Sequence, residues 1–594
     1  MAYQVGNIDV IERPMGPVTL PAARYPQRYP VEGSVVLPKG FRKDEKTRAF
    51  QAATIWERDV KIPMRDGTIL RADIFRPVDS DTNKVPVLLV WSPYGKSGTG
   101  FFDVGIIPGR VGVAQTMLSG LESFEAPDPA EWIQHGYAVA NVNARGILVS
   151  GGNHRWHGTA EGRDGYDTIE FMGSLPWTNG HVALIGNSWL ATSQWFIAAE
   201  RPPHLSCILP LEGLSDVYRE TICRGGVPYK PFWSYLMNHL FGENLQEDVI
   251  SMIEKFPLMN EYWEDKRARA DLINVPAYIL ASMSSGLHTV GSIRCYEDIP
   301  HEKKWLRMHP TQEWHDLYQS ETIADLKKFL DFYTKGIRND WEETPRVRLS
   351  ILRFNQSPLI NMPFSTWPIP QTQYQTLHLS DESRLVPDAQ MVNAGAVTFQ
   401  GDIRAMQTDQ DPEEVQFRFT FKTKTTLIGP AKLTVWMSCP DHDDFDVFVQ
   451  LRKADSTGQI LQALNIPLRE LGYSSPEEVE SVNVLKYLGP TGVLRASHRE
   501  LDPVLSKPHW PAHVHTRRQR VQAGEAVELQ IGLWPSAIQF EESEQLVLKI
   551  AGHHMTLAEF VPLRGQFKSG NRGRQTVHWG ERFNSHLEIP VVPV

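Results

Sequence analysis

The chain has 594 residues, 41% of them hydrophobic and 22% charged, with a formal net charge of −10. That length exceeds what one hydrophobic core organises, so two or three domains are expected, and the acidic balance offers no basic footprint for nucleic acid and no cationic block for an anionic membrane. Four scattered cysteines, Cys207, Cys223, Cys295 and Cys439, lack the spacing of a disulfide framework or a zinc site and suit a reducing compartment.

The opening MAYQVGNIDVIERPMGP has no basic start leading into an apolar core, and no run of about 18 apolar residues occurs anywhere, so a soluble, cytoplasmic protein is expected. Residues 1–50 are rich in proline and polar side chains without periodicity and read as an extended arm lying on the body. From Trp56 the text alternates around Asp66-Gly67, a hairpin turn signal. Val85 to Trp91 is a nearly continuous apolar run that stops at Ser92-Pro93-Tyr94, and GYAVANVNARG is a second. About forty residues separate them, too many for a plain loop, and a helix is expected around Pro129 to Ile133. Tyr166, Ile169 and Met172 then fall at helical spacing, with Asn179-Gly180 expected to stop that helix.

The stretch HVALIGNSWL, His181 to Leu190, follows. Val182 to Ile185 read as a buried parallel strand, Gly186-Asn187-Ser188 as a sharp turn, and the residues from Ala191 as a helix. A serine held at such a turn sits at the C-terminal end of the sheet beside a helix N-terminus, so Ser188 is the candidate nucleophile. The fifth position of a G-x-S-x-G motif is Leu190 here, not glycine. Strand and helix in alternation imply an α/β domain with a parallel sheet and crossover helices over residues 51–212 and 273–343. Residues 213–272 interrupt it with helical, aromatic-rich text, placed as a helical cap whose Tyr229, Phe232, Trp233 and Tyr235 could line a substrate pocket or pack the cap itself.

From residue 344 to 594 the period is two: Phe445, Val447, Val449 and Leu451 alternate with polar neighbours, as do Val527 to Leu533 and Leu546 to Ile550. Such segments between Gly/Pro/Asp turns predict an all-β sandwich of jelly-roll type.

With these residues collected, the chain resembles the cocaine esterase and X-prolyl dipeptidyl-peptidase group of serine hydrolases, the CocE/NonD hydrolases, from about Val60 to the C-terminus. The marks are MRDGTILRADIFRP, SPYGK, GYAVANVNARG with Ser150-Gly151-Gly152, PWTNGHVALIGNSWLA, TPRVRLSIL opening the β domain, GVLRASHRELDP with KPHWPAHVH, and HWGERFNSHLEIPVVP. The resemblance implies an α/β-hydrolase domain with an inserted helical cap and a C-terminal jelly roll. It assigns Ser188 as nucleophile, and the Trp189 backbone N–H and the Tyr94 hydroxyl as the oxyanion hole.

The remaining triad positions depart from the family pattern. Ser285 stands at the aspartate's place, and in HPTQE Glu313 stands at the histidine's. A histidine, His288, lies three residues past Ser285, so the two duties are expected to be exchanged: His288 as general base, Glu313 as its orienting acid. His309 and His315 are rivals for the base. The function expected is hydrolysis of an ester or amide of a small molecule through an acyl-enzyme. Two other classes remain open: a repurposed enzyme performing non-hydrolytic cyclisation or C–C bond cleavage in secondary metabolism, and a binding protein. No cofactor and no metal are expected, since no H-E-x-x-H, clustered Cys/His or phosphate-binding glycine loop occurs. No nucleic-acid or membrane partner is expected, and a homodimer is left open.

Overall fold

The computed structural model describes residues 3–25 and 29–593. Among these, one sheet holds eleven strands: β1 (Gly33–Leu37), β2 (Thr54–Pro63), β3 (Ile69–Pro77), β4 (Val85–Ser92), β5 (Ala138–Asn143), β6 (Thr178–Asn187), β7 (Leu205–Leu211), β8 (Ala277–Ser282), β9 (Lys304–His309), β10 (Val347–Ile351) and β11 (Leu359–Phe364). In space they run β11-β10-β9-β8-β7-β6-β4-β5-β3-β2-β1. The stretch from β10 to β5 is parallel, and the flanking pairs are antiparallel. The parallel strands are apolar nearly end to end, as burial on both faces requires: Leu89 and Ile208 pair with Leu184 from either side, and all three are fully buried.

The helices are α1 (Pro129–Trp132), α2 (Thr159–Gly173), α3 (Trp189–Ala199), α4 (Pro231–Asn238), α5 (Val249–Lys255), α6 (Glu261–Asp265), α7 (Thr289–Asp298), α8 (Glu313–Leu317) and α9 (Ser320–Lys335). Helix α2 ends sooner than expected, because Pro176 bars the preceding residues from continuing a helix. Asn179-Gly180, expected to stop it, instead lie inside the start of β6. Helices α4, α5 and α6 make up the insertion between β7 and β8, together with a short strand, Leu245–Glu247.

Two boundaries differ from the sequence reading. The first 50 residues are not merely an arm: Gly33–Leu37 is the edge strand β1, and Glu12–Pro14 pairs with the insertion's Leu245–Glu247. At the other end, TPRVRLSIL pairs with the first sheet rather than the second. Val347, Leu349 and Ile351 are fully buried in β10, which extends the first sheet in parallel with β9, and β11 closes that edge as a hairpin. An unpaired edge of a long sheet invites pairing, and these two strands cover it.

The second sheet lies between Gln373 and Val592 and is antiparallel except for the brief contact of Arg384–Val386 with Glu414–Thr420. Its longest pair joins Thr425–Ser438 to Val527–Phe540, and alternate residues such as Leu433, Val435, Leu529 and Ile531 fill the jelly-roll core. One excursion from this domain, carrying Ala463, Ile466, Val479 and Val482, packs into the core of the first domain instead. No helix among the described residues is long and apolar enough to cross a membrane.

Candidate active site

Ser188 follows the last residue of β6 and precedes the first of α3, with φ 54° and ψ −114°. A non-glycine residue held there costs of the order of 1–3 kcal/mol, so the surroundings must over-determine it. They do: the Ser188 N–H donates to the Glu212 carbonyl at 2.9 Å, Asn187 N–H donates to the Glu125 carbonyl at 2.9 Å, and Thr192 N–H donates back to Ser188 at 2.8 Å. The missing glycine of the motif is replaced from a neighbour. A Cβ on Gly213, just beyond β7, would meet Thr192 N at 3.0 Å and Ala191 C at 3.1 Å, and a Cβ on Gly186 would meet Leu190 at 2.7 Å. The close approach is therefore provided by Gly213 and Gly186, and Leu190 is accommodated.

Tyr94 lies just past β4, its ring held edge-on between Phe102 at 5.4 Å and Phe124 at 5.3 Å. Its hydroxyl interacts with Ser188 and with the Glu125 carboxyl; burial, then the Glu125 charge, push the phenol well above its ordinary range. The Trp189 backbone N–H is the first of α3, whose N-terminus no side chain caps. The Trp189 indole donates to Glu161 at 2.9 Å, which fixes the residue beside the serine.

Ser188, Tyr94, His288 and Glu313 line one cavity of about 80 Å³. His288 is placed by the loop after β8, where Ser282 Oγ accepts the N–H groups of Ser284 and Ser285, and it immediately precedes α7 without a side-chain capping bond. Glu313 begins α8, a turn capped by the Gln312 side chain. His288 Nδ1 and Glu313 Oε2 lie 3.0 Å apart, an ion-pair distance without straight hydrogen-bond alignment. Ser285, at the family aspartate's place, also lines the cavity.

His309 and His315 face elsewhere. His309 Nε2 lies 2.7 Å from Glu212 Oε1, and burial lowers its pKa to about 4. His315 is anchored by the Val111 carbonyl at 3.0 Å and by Glu470 at 3.2 Å. Neither lines the cavity. Of the aromatic residues expected at the pocket, Phe232 and Tyr235 line it. Tyr229 and Trp233 do not: the Tyr229 hydroxyl donates to Glu559 at 2.8 Å, and the buried Trp233 donates to Thr221 at 2.8 Å and packs on Trp156. Phe232 and Tyr235 are three residues apart on the cavity face of α4, whereas Trp233 on the same helix turns into the core and Tyr229 precedes the helix.

Two carboxyls at the site escaped the sequence reading. Glu125 lines the cavity at φ 69°, and Glu212 follows β7 at φ 68°, fully buried. Burial first and the Glu313 charge second push both well above the carboxylate range. Ligating atoms of Glu212, His288 and Glu313 all lie within 4.8 Å of one another. This donor set could accept a divalent cation, although His288 and Glu313 already face each other at 3.0 Å. The jelly roll reaches the cavity through Asn465, Asn483 and Glu559.

Residues 66–247 match the X-Pro dipeptidyl-peptidase (S15 family), and residues 339–588 match the X-Pro dipeptidyl-peptidase C-terminal non-catalytic domain. His288, His309 and Glu313 fall between these ranges. Cocaine esterase of Rhodococcus sp. (strain MB1 Bresler) is 34% identical over 161 residues, 27% of this chain and 24% of that enzyme, so the chain matches about a quarter of its length. A crystal structure of a CocE/NonD family hydrolase from Staphylococcus aureus superimposes with a TM-score of 0.81 at 29% identity, covering 91% of this chain and 94% of the other. An α-amino acid ester hydrolase, TM-score 0.67 over 91% of this chain and 96% of the other, shares 16% identity and speaks to the fold alone. With both domains matched in order and a full-length structural counterpart, the chain belongs to the CocE/NonD, S15-like family of serine hydrolases and is an α/β-hydrolase-type enzyme.

Proposed function

We propose that this enzyme cleaves an ester or amide bond of a small molecule through an acyl-enzyme on Ser188. The observation that carries the reading is that a strained elbow serine shares one cavity with the His288–Glu313 pair and with the Tyr94 hydroxyl. Ser188 Oγ attacks the substrate carbonyl and gives its proton to His288. With Nδ1 turned to Glu313, the other ring nitrogen is the one available to the serine. Charge developing on the carbonyl oxygen is met by Tyr94 O–H and Trp189 N–H, donors preorganised for it. The tetrahedral species collapses, His288 returns the proton to the leaving oxygen or nitrogen, and a water repeats the sequence to release the acid. Phe102, Phe124, Phe232, Tyr235, Trp314 and Phe560 line the cavity, and these rings favour an apolar or aromatic acyl group.

Labelling with a fluorophosphonate probe and turnover of p-nitrophenyl esters test this. Wild type is expected to be labelled at Ser188. Ser188→Ala should lose the label and drop kcat by on the order of 10^4-fold or more, and Glu313→Gln by about 10^3- to 10^4-fold. Labelling that survives His288→Asn but disappears in His309→Asn would move the base to His309. A folded wild type that neither labels nor turns over esters would remove the acyl-enzyme.

A further inference from the structure

The loop between β4 and β5 delivers one side chain to the nucleophile that the scheme above does not use. Glu125 is 3% exposed. Its carbonyl accepts the Asn187 N–H at 2.9 Å, and its Oε1 accepts the indole N–H of Trp314, the neighbour of Glu313, at 3.1 Å. Its carboxyl also lies against the Tyr94 hydroxyl and Ser188, and Oε2 is buried without an aligned hydrogen bond. One residue thus ties the elbow, the oxyanion tyrosine and the α8 turn together, in a left-handed backbone conformation that only a constrained site maintains.

Resting on the reading of Ser188 and Tyr94 just given, we propose that Glu125 is a positioning residue of the oxyanion hole: as a neutral carboxylic acid it donates its proton to the Tyr94 oxygen, leaving the Tyr94 hydrogen aimed at the substrate carbonyl. The alternative charge state works against catalysis. A phenol has one hydrogen. An ionised Glu125 accepts only, so it would draw the Tyr94 hydrogen, and that of Ser188, toward itself and away from the substrate. A neutral Glu125 has one hydrogen to give, and the oxygen facing Trp314 still accepts.

The surroundings select the neutral form. The groups facing Glu125 are Tyr94 beyond β4, Ser188 at the elbow, Glu313 and Trp314 on α8, and Tyr318 just beyond it; His288 lies across the cavity, and no lysine or arginine is among them. Two carboxyls at one buried site cannot both ionise cheaply. Glu313 has the His288 imidazole as a polar partner at 3.0 Å, and Glu125 has no imidazole or cationic neighbour, so the proton resides on Glu125. Burial and the Glu313 charge push Glu125 in the same direction.

The test is the pH dependence of kcat for a p-nitrophenyl ester from pH 6 to 9.5, in full-length wild type, Glu125→Gln, Glu125→Leu and the double variant of Glu125→Leu with Tyr94→Phe. Thermal melts accompany each. Glutamine occupies the same space, donates an N–H to Tyr94 and cannot ionise. It should retain activity within about tenfold and lose the alkaline decline that wild type shows. Glu125→Leu should cost on the order of 10^2-fold at every pH, and adding Tyr94→Phe to it should cost less than about threefold more. Should the leucine variant not fold, the comparison of glutamine with wild type decides alone. The proposal is overturned if glutamine is as damaged as leucine, if its alkaline limb coincides with wild type, or if the leucine and Tyr94→Phe losses multiply. Undiminished turnover by Ser188→Ala would overturn the underlying site reading, and this inference with it.

Discussion

Tyr94 separates chemistry from packing at a single atom. Its ring is fixed by Phe102 and Phe124, while its oxygen alone faces Ser188. Tyr94→Phe should therefore lower kcat on the order of 10^2-fold, the worth of one oxyanion donor at about 3 kcal/mol, with KM and melting temperature nearly unchanged. A comparable loss in KM instead, measured by steady-state kinetics, would make the hydroxyl a substrate-binding group. The place of Ser188 in the fold is legible because it ends a continuous apolar run, and a strand that must be buried announces where its last residue emerges, whereas the expectation for Tyr94 comes only from the family resemblance. Glu125 and Glu212 were not legible. Both sit in left-handed turns inside connecting segments, where an acidic residue reads as solvated loop, and only tertiary pairing buries them. The same limit applies to the insertion, where the sequence does not say whether Phe232 and Tyr235 or Tyr229 and Trp233 face the cavity.

Between elements, the elbow depends on a buried carboxylate one helix away. Glu161, near the start of α2, accepts the indole N–H of Trp91 on β4 at 2.8 Å and that of Trp189 on α3 at 2.9 Å, and faces His157 at 3.0 Å. Burial alone would push Glu161 upward, but His157 and the two indoles together hold it below the usual carboxylate range. Three elements are thereby clamped through one side chain. Glu161→Leu leaves two indole donors buried and unsatisfied, at about 1–3 kcal/mol each, and frees Trp189 beside Ser188. It should lower the urea midpoint by an amount worth about 3 kcal/mol and slow fluorophosphonate labelling of Ser188. Glu161→Gln keeps an acceptor for the indoles and should lose less than half as much; equal losses in the two variants would show that the charge, not the hydrogen bonding, holds the helices. Strand identity was readable at this scale, but sheet membership was not. Val347 to Ile351 alternate no differently from jelly-roll strands, and what assigns them to the first sheet is their parallel pairing with β9, a contact between distant segments that periodicity does not encode.

At the scale of the whole molecule the α/β text, the aromatic insertion and the period-two text announced the classes of structure, while the way they interlock was silent. The jelly-roll excursion around Ile466 and Val482 enters the first core, and Asn483 and Glu559 reach the cavity, so the two sheets share buried groups. That sharing shapes the pH dependence of stability. Burial lowers His154 and His513 to about 4 and His498 and His554 to about 3, so each stays neutral in the fold but protonates near 6.5 when unfolded. Their contribution is present above the unfolded value and is lost as pH falls through the folded one, at about 1.4 kcal/mol per pH unit per group. Buried carboxyls act with the opposite sign. Burial raises Glu122 and Glu220 to about 7 and pushes Glu125 and Glu212 well above the carboxylate range, so their contribution is complete below the ordinary carboxylate value and is lost as pH rises through the folded one. Between about pH 4.5 and 6.5 the two sets offset each other, and outside that window each acts alone. Stability measured as the denaturant midpoint should therefore form a plateau on the acid side of neutral, about pH 4.5 to 6.5, and fall on both sides. His554→Gln should flatten the acid limb, and Glu212→Gln the alkaline one. A midpoint that climbs steadily to pH 9 would mean that the acids of the site are already ionised at neutral pH, and would count against a neutral Glu125 as well.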